Sequence, residues 1–290
     1  MTARIVSVVP CFNSASFVGP AIQSALRQTV RDHRVVVVDD GSTDDFVEAV
    51  APFDGQIDVI RQPQQGVWAA RNAALTATDS ELVAYLDADD IWAPTKLESQ
   101  LSYMEGQPAV GMVHTGVEFI DRDGGPLSLT RREPVPASGM VGMVTENRVC
   151  TSSVLHKREA FDDEYFSRDV RGPCEDWDLW LRIAGRGYDV GYIPEPLTRY
   201  RLHTSNASRR QESMLIGTVD VMTRLLSRQP QESVKRAAVH TRAKAFCDLG
   251  NIAYSRRDLK SARSLYLKGL RAAGRGELRR TVVSLAAWWL

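Results

Sequence analysis

Apolar residues in the first third of the chain come in short unbroken runs. Ile5-Val6-Ser7-Val8-Val9, Arg34-Val35-Val36-Val37-Val38 and Leu82-Val83-Ala84-Tyr85-Leu86 are three such runs, rich in β-branched residues and of the length of a buried strand. Ile57-Asp58-Val59-Ile60 is a fourth and weaker one. Between the runs the period changes. Ser16 to Gln28 and Asp44 to Val50 carry apolar residues at helical spacing, and Gly66 to Thr76 is rich in alanine, with Trp68 and Leu75 seven apart. The resulting order, β-α-β-α-β-α-β, predicts an α/β fold with a mostly parallel sheet flanked by helices. Ligands of such sheets bind beyond the carboxyl ends of the strands.

From about Ser208 the strand-like runs stop and helix-forming sequence continues to the end. Leu249-Gly250-Asn251-Ile252-Ala253-Tyr254, followed by Ala262, Tyr266 and Leu270, is similar to one tetratricopeptide-like helical hairpin. We therefore expect a first domain over 1–207 and a helical appendage over 208–290. Charge divides at the same place. The chain has a formal net charge of zero, yet residues 208–290 hold 17 Lys and Arg against 6 Asp and Glu, and the remainder holds 19 against 30. The basic tail has two readings: an anionic membrane surface could receive it, with Trp288 and Trp289 at the interface, or its charges form a solvated face while the last helix packs on its own domain.

With 290 residues, 43% hydrophobic and 25% charged, the chain is in the range of ordinary globular proteins and can bury a full core, which excludes a disordered chain or a stapled mini-protein. Cys11, Cys150, Cys174 and Cys247 stand far apart without CxxC spacing, so neither a zinc site nor a disulfide framework is expected. No apolar run reaches the roughly 18 residues of a membrane span, and Met1-Thr2-Ala3-Arg4 leads into strand sequence without a signal-peptide core. The expectation is a cytoplasmic protein in a reducing compartment, peripheral on the inner face of the cell membrane if the tail binds lipid.

Three of the predicted strands end in polar clusters: Pro10-Cys11-Phe12-Asn13, Asp39-Asp40-Gly41-Ser42-Thr43-Asp44 and Asp87-Ala88-Asp89-Asp90. A parallel sheet brings these ends to one edge and gathers five carboxylates there, Asp39, Asp40, Asp87, Asp89 and Asp90, whose charges repel. Any one aspartate after a strand has an ordinary reading as a helix cap or turn residue. As a group, an Asp-x-Asp after a buried strand supplies hard oxygen ligands suited to Mg²⁺ or Mn²⁺, which would offset the repulsion and bridge to a diphosphate. Glu175-Asp176 forms a second acidic centre before the apolar helical segment Trp177, Leu179, Trp180, Leu181 and Ile183. It reads either as an acidic helix N-terminus or as a partly desolvated carboxylate fit for a general base. GxGxxG after the first strand, GxxxxGK[ST] and HExxH are all absent, so dinucleotide, P-loop and zincin sites are not supported.

Taken in order, Val8-Val9-Pro10-Cys11-Phe12-Asn13, Val38-Asp39-Asp40-Gly41-Ser42-Thr43-Asp44, Gly66 with Ala70-Arg71-Asn72, Leu86-Asp87-Ala88-Asp89-Asp90-Ile91-Trp92, Glu175-Asp176-Trp177-Asp178-Leu179-Trp180 and Tyr200-Arg201-Leu202-His203 with Asn206 and Ser208 resemble the glycosyltransferases of family 2. The resemblance covers about residues 4–208 and leaves the helical tail outside. It implies a GT-A, Rossmann-like fold and metal-dependent, inverting transfer of a sugar from a nucleotide-diphospho-sugar to a hydroxyl of a glycan, glycolipid or other acceptor. Residue by residue it implies that Pro10, Phe12, Asn13 and Gly66 line the nucleotide pocket, Asp40 hydrogen-bonds the base, Arg71 lies near the nucleotide, and Asp87 and Ala88 border the ribose. Asp89 resembles the principal ligand of Mn²⁺ or Mg²⁺, with Asp87 beside it. His203 matches a position near the metal or diphosphate, its other reading being a hydrogen-bonded surface histidine. Asp176 resembles the base that deprotonates the acceptor, with Glu175 orienting acceptor or base. No nucleic-acid partner is implied. Acceptor contacts are expected from the segment between Gly106 and Cys174, loop-rich around Asp123-Gly124-Gly125-Pro126 and Pro134-Val135-Pro136. Two other classes compete: a noncatalytic nucleotide-sugar-binding scaffold, and a sugar-phosphate nucleotidyltransferase, which needs a glycine-rich basic loop that Pro10-Cys11-Phe12-Asn13 does not supply.

Overall fold

The computed structural model describes residues 3–131, 139–161, 164–204, 206 and 210–286, with side chains described as far as Ala273. Its first elements follow the order expected from the sequence: β1 (Ile5–Cys11), α1 (Ala15–Leu26), β2 (His33–Asp39), α2 (Phe46–Val50), β3 (Asp58–Arg61), α3 (Val67–Thr76) and β4 (Leu82–Tyr85). β3, β2, β1 and β4 lie side by side and all run parallel. Every residue of β1 and β4 is buried, which is why these strands are written as continuous apolar runs without alternation.

Past β4 the sheet continues through segments whose strands the pattern did not mark. These are β5 (Ile91–Trp92), α4 (Lys96–Glu105), β6 (Val110–Ile120), β7 (Pro126–Arg131), β8 (Leu155–Lys157) and β9 (Asp189–Arg201). β8 pairs antiparallel with both β4 and β6, β6 runs parallel to β9, and β5 pairs antiparallel with β9. The strand order is β3-β2-β1-β4-β8-β6-β9-β5, with β7 attached to β6. The sheet is thus parallel in the half that carries the polar clusters and mixed beyond it. Asp123 to Pro126, expected as loop, makes the turn of the β6–β7 hairpin, where Asp121 Oδ1 accepts the N–H groups of Asp123 and Gly125. Pro134 to Pro136 lies outside the described residues.

A core of Ile5, Val9, Ile22, Val37, Leu86, Trp92, Leu97 and Leu155, among others, packs α1 and α4 against the strands. Within this unit Lys96 is fully buried, its Nζ donating to Gln100 Oε1 at 2.7 Å and lying 4.3 Å from the Trp92 ring centroid. Burial pushes its pKa well below the usual lysine value.

By packing, the chain falls into two compact units. The first comprises 1–137, 148–166 and 182–204 and contains the sheet; the second comprises 138–147, 167–181 and 205–290. In the second are α5 (Met140–Thr145), the start of α6 (Glu175–Gly185), α7 (Gln211–Ser227), α8 (Glu232–Ser255) and α9 (Leu259–Ala286). α8 and α9 form the expected helical hairpin, and Tyr266 Oη donates to Asn251 Oδ1 across it at 2.8 Å. Among the described residues no helix is long and apolar enough to cross a membrane; Trp288 and Trp289 lie beyond them.

Two buried histidines make the stability of the first unit pH-dependent. Burial pushes His114 and His156 from the usual 6.5 down to about 4. His156 Nε2 is 2.9 Å from Tyr85 Oη, and its Nδ1 is 2.8 Å from the Lys157 carbonyl. A group whose folded pKa lies below its unfolded one stabilises the fold while neutral; this contribution is complete above about pH 6.5 and is lost as the pH falls toward 4. At about 1.4 kcal/mol per unit, each histidine accounts for up to about 3 kcal/mol. Urea unfolding between pH 7 and 4.5 should show stability declining with acid, with a shallower slope in His156→Gln; an unchanged slope would contradict the assignment.

Candidate active site

Because β2, β1 and β4 are neighbours and parallel, their carboxyl ends open on one edge, with Cys11 opposite Asp39 in the register. Pro10 stands in the buried end of β1, and Phe12 emerges from it 40% exposed. The loops after β1 and β2 are laced together. Asn13 N–H donates to Ser42 Oγ, Thr43 N–H donates to Asn13 Oδ1 at 2.8 Å, and Ala15 N–H, the first amide of α1, donates to Asp44 Oδ2. Asn13 adopts φ +48°, a left-handed conformation that asparagine tolerates better than most residues.

The paired aspartates after β2 divide between two tasks. Asp39 is fully buried and accepts Ser42 N–H and Arg61 Nε, the turn role expected of some members of the cluster. Asp40 accepts three hydrogen bonds: Gln62 Nε2 and Gln65 N–H on Oδ1, and Gly66 N–H on Oδ2 at 2.7 Å. It therefore fixes the loop that leads into α3. Gly66 turns the chain at φ +103°, a conformation closed to most side chains.

The turn Asp87-Ala88-Asp89-Asp90 is the most crowded part of this edge. Arg71 Nη2 pairs with Asp87 Oδ1 at 2.8 Å, and its guanidinium lies 5.2 Å from the Phe166 ring centroid and 5.8 Å from that of Tyr85. Ala88 is buried. Asp89 Oδ2 is 2.8 Å from His203 Nε2, and the imidazole is stacked on Phe17 at 5.2 Å. Burial, then the charge of Asp87, raises the Asp89 pKa against the opposing effect of His203. Asp90 is buried, and burial with the charges of Asp89 and Asp87 raises its pKa well above the carboxylate range.

Two residues with no role assigned from the sequence hold this turn. Ser152 Oγ accepts Asp87 N–H at 3.0 Å and donates to Asp90 Oδ2 at 2.5 Å, while its carbonyl accepts Trp92 Nε1. Arg201 gives its N–H to Asp90 Oδ1 and its guanidinium to the carbonyls of Asp89, Asp121 and Arg122. Arg201 stood in a recognised motif, but nothing distinguishes Ser152 from its neighbours Thr151 and Ser153.

Among the described residues no group of three or more His, Cys, Asp and Glu side chains forms a ready cage for a metal. What the turn offers is Asp89 facing His203, with Asp87 committed to Arg71. One or two side-chain ligands, in a place where carboxylates crowd, fit Mg²⁺ or Mn²⁺ of the kind that completes its shell with phosphate and water.

The second acidic centre opens α6. Glu175 and Asp176 are 6% and 9% exposed, and Trp177, Leu179, Trp180 and Leu181 are buried behind them. Trp177 Nε1 donates to the Met143 carbonyl of α5, and Asp176 Oδ1 accepts Trp177 N–H. Both carboxylates are thus largely shielded from water at the first turn of α6. Asn206 is buried, while Ser208 lies outside the described residues.

Compared with known proteins, residues 7–157 match the family model described as glycosyl transferase family 2. An uncharacterized glycosyltransferase of Rickettsia bellii is 26% identical over 208 residues, which cover 71% of this chain but only 30% of that protein's length. The Escherichia coli UDP-Glc:alpha-D-GlcNAc-diphosphoundecaprenol beta-1,3-glucosyltransferase WfaP is 26% identical over 217 residues, covering 74% of this chain and 84% of its own. Among solved structures, mannosyltransferase PcManGT from Pyrobaculum calidifontis, in complex with GDP-Man and Mn²⁺, aligns with a TM-score of 0.65 at 20% identity, over 99% of this chain and 81% of that one. That likeness establishes the GT-A fold.

Ser152→Ala removes a hydroxyl that serves two partners inside the turn. It should cost about 1–3 kcal/mol in urea unfolding, because a buried carboxylate loses its O–H donor, and it should speed hydrogen exchange at the Asp87 amide. Unchanged exchange there would show that Ser152 does not hold the turn.

Proposed function

This chain belongs to glycosyl transferase family 2, and from that membership we propose that it transfers a sugar from a nucleotide-diphospho-sugar to a hydroxyl of a growing polysaccharide, glycolipid or other glycan. The observation that carries the reading is the half-buried turn at the carboxyl edge of the parallel strands, where Asp89 stands among like charges with His203 as its hydrogen-bond partner. Residues 1–207 are the proposed catalytic domain, and 208–290 the helical appendage.

In this reading Pro10, Phe12, Asn13 and Gly66 border the nucleotide, Asp40 hydrogen-bonds the base while it holds the loop into α3, and Asp87 with Ala88 borders the ribose. Arg71 acts through Asp87, whose carboxylate it holds. Asp89 with His203, and Asp87 beside them but paired with Arg71, would hold Mn²⁺ or Mg²⁺, which would supply positive charge against the negative charge that builds on the departing nucleoside diphosphate. Asp176 takes the acceptor's proton on a carboxylate oxygen as the acceptor oxygen bonds to the anomeric carbon. The bond from that carbon to the diphosphate oxygen breaks, and its electron pair leaves with the nucleoside diphosphate. Attack opposite to the leaving group inverts the anomeric configuration. Glu175 orients the acceptor or the base.

The E. coli relative is named for an acceptor on diphosphoundecaprenol, and the tail of this chain is strongly basic. Both favour a lipid-linked acceptor and a cytoplasmic enzyme resting on an anionic membrane face, by the general attraction of basic helices to such surfaces.

Thermal stability against UDP-, GDP- and dTDP-sugars, with and without Mn²⁺, tests donor binding, since a ligand of the folded state raises apparent stability. One nucleotide class should give a Mn²⁺-dependent shift that Asp89→Ala loses; no shift with any of them would overturn the reading. Asp40→Ala should weaken nucleotide binding by about 1.5–3 kcal/mol. Asp176→Asn should keep donor binding and lower turnover roughly 10²–10⁴-fold. Equal turnover by the two proteins would refute the base assignment, and a product with retained anomeric configuration would refute inversion.

A further inference from the structure

We infer that α7, in the helical tail beyond the family-matched residues, is a positioning element for Glu175 and Asp176; the inference rests on the base assignment proposed above. Along α7, Ser213, Gly217, Asp220 and Arg224 recur at intervals of three or four and so share one face of the helix. That face carries the segment Asp169–Asp178.

The contacts begin ahead of the acidic pair. Arg171 donates its backbone N–H and its Nε to Asp220 Oδ2 and its Nη2 to Asp220 Oδ1, at 2.7–3.0 Å, a two-pronged pairing that fixes direction as well as distance. At Gly172 the two backbones touch: a Cβ there would lie 2.1 Å from the Ser213 carbonyl oxygen and 2.9 Å from Gly217 Cα. Cys174 closes over Gly217, where a Cβ would meet its Sγ at 2.8 Å. Beyond the pair, Arg224 Nε bonds Asp178 Oδ1 at 3.1 Å while its Nη1 reaches Asp169 Oδ2 at 3.3 Å. Arg224 thus ties together both ends of the segment that bears Glu175 and Asp176.

A base is effective only when its oxygen is held within a fraction of an ångström of the proton it removes, and a displacement of about 1 Å costs roughly 10²-fold in rate. The stretch leading into α6 has no strand pairing of its own. Its position is set by two glycines that allow backbone contact and by three arginine–aspartate pairs, one of them with the buried Asp178. Arg171, Asp220 and Arg224 touch no reacting atom in this account; they act through the segment that they fix.

The test uses the full chain with Arg224→Gln, Arg224→Lys and Gly217→Ala, beside Met104→Ala as a core-weakened control in α4. Three quantities are measured: hydrogen exchange over 169–178, donor affinity, and turnover of the donor that the parent hydrolyses with Mn²⁺. Arg224→Gln and Gly217→Ala should exchange faster over 169–178 and turn over roughly tenfold or more slowly, with donor affinity within about twofold of the parent. Arg224→Lys, which keeps the charge, should recover part of the rate, and Met104→Ala should lose stability without this split. Parent-like turnover in both Arg224→Gln and Gly217→Ala, while Asp176→Asn is inactive, overturns the positioning role and leaves the base assignment standing. Full turnover by Asp176→Asn removes the base assignment and this inference with it.

Discussion

Asp87, Asp89 and Asp90 stand within four residues of one turn, Asp90 buried and the other two partly exposed, and their mutual repulsion is the constraint around which this edge of the first unit is arranged. Each carboxylate is met differently. Asp87 has the buried Arg71 guanidinium, Asp89 the His203 imidazole, and Asp90 only neutral donors, the Ser152 hydroxyl and the Arg201 amide. Burial, and then the charges of the neighbouring carboxylates, raise the pKa values of Asp89 and Asp90. In the function proposed above, a divalent cation brought in with a diphosphate would offset this crowding of carboxylates.

The loops next to this turn are stiffened by carboxylates used as hydrogen-bond acceptors. Asp39 and Asp44 are absorbed by backbone amides and Arg61, and Asp40 spends three acceptor positions on the approach to α3. Such fixed acceptors hold these loops in shape, which under the proposed function would lower the ordering cost of nucleotide binding. In the second unit, α7 plays the equivalent part for Glu175 and Asp176, with ion pairs and close backbone contact in place of acceptor loops.

The parallel half of the fold was legible because its strands are buried on both sides and carry β-branched runs with helical spacing between them. β6 and β9 were not, although they are the longest strands. Part of the reason is glycine: at Gly111 a Cβ would lie 2.5 Å from the Tyr188 ring, and at Gly191 one would lie 2.4 Å from Tyr103. Close packing of aromatic rings on the strand demands the very residue that weakens a strand signal in sequence. The tail showed its helices and its hairpin, since those depend on local propensity and spacing, but not the face of α7 that receives Asp169–Asp178.

Neighbouring residues alone were enough to read the order of the first elements, the polar clusters at strand ends, the family and the residues worth naming in each cluster. These are local properties: propensity, periodicity and motif are all written in neighbouring residues. The tertiary contacts are what show that Arg71 holds Asp87, that Asp40 holds a loop, that Ser152 bonds the acidic turn and that Arg224 bonds Asp178. Each of those assignments depends on a partner 16 to 65 residues away, and a hydrogen bond across that separation leaves no periodic trace in the chain; it exists only once the backbone has brought donor and acceptor within about 3 Å.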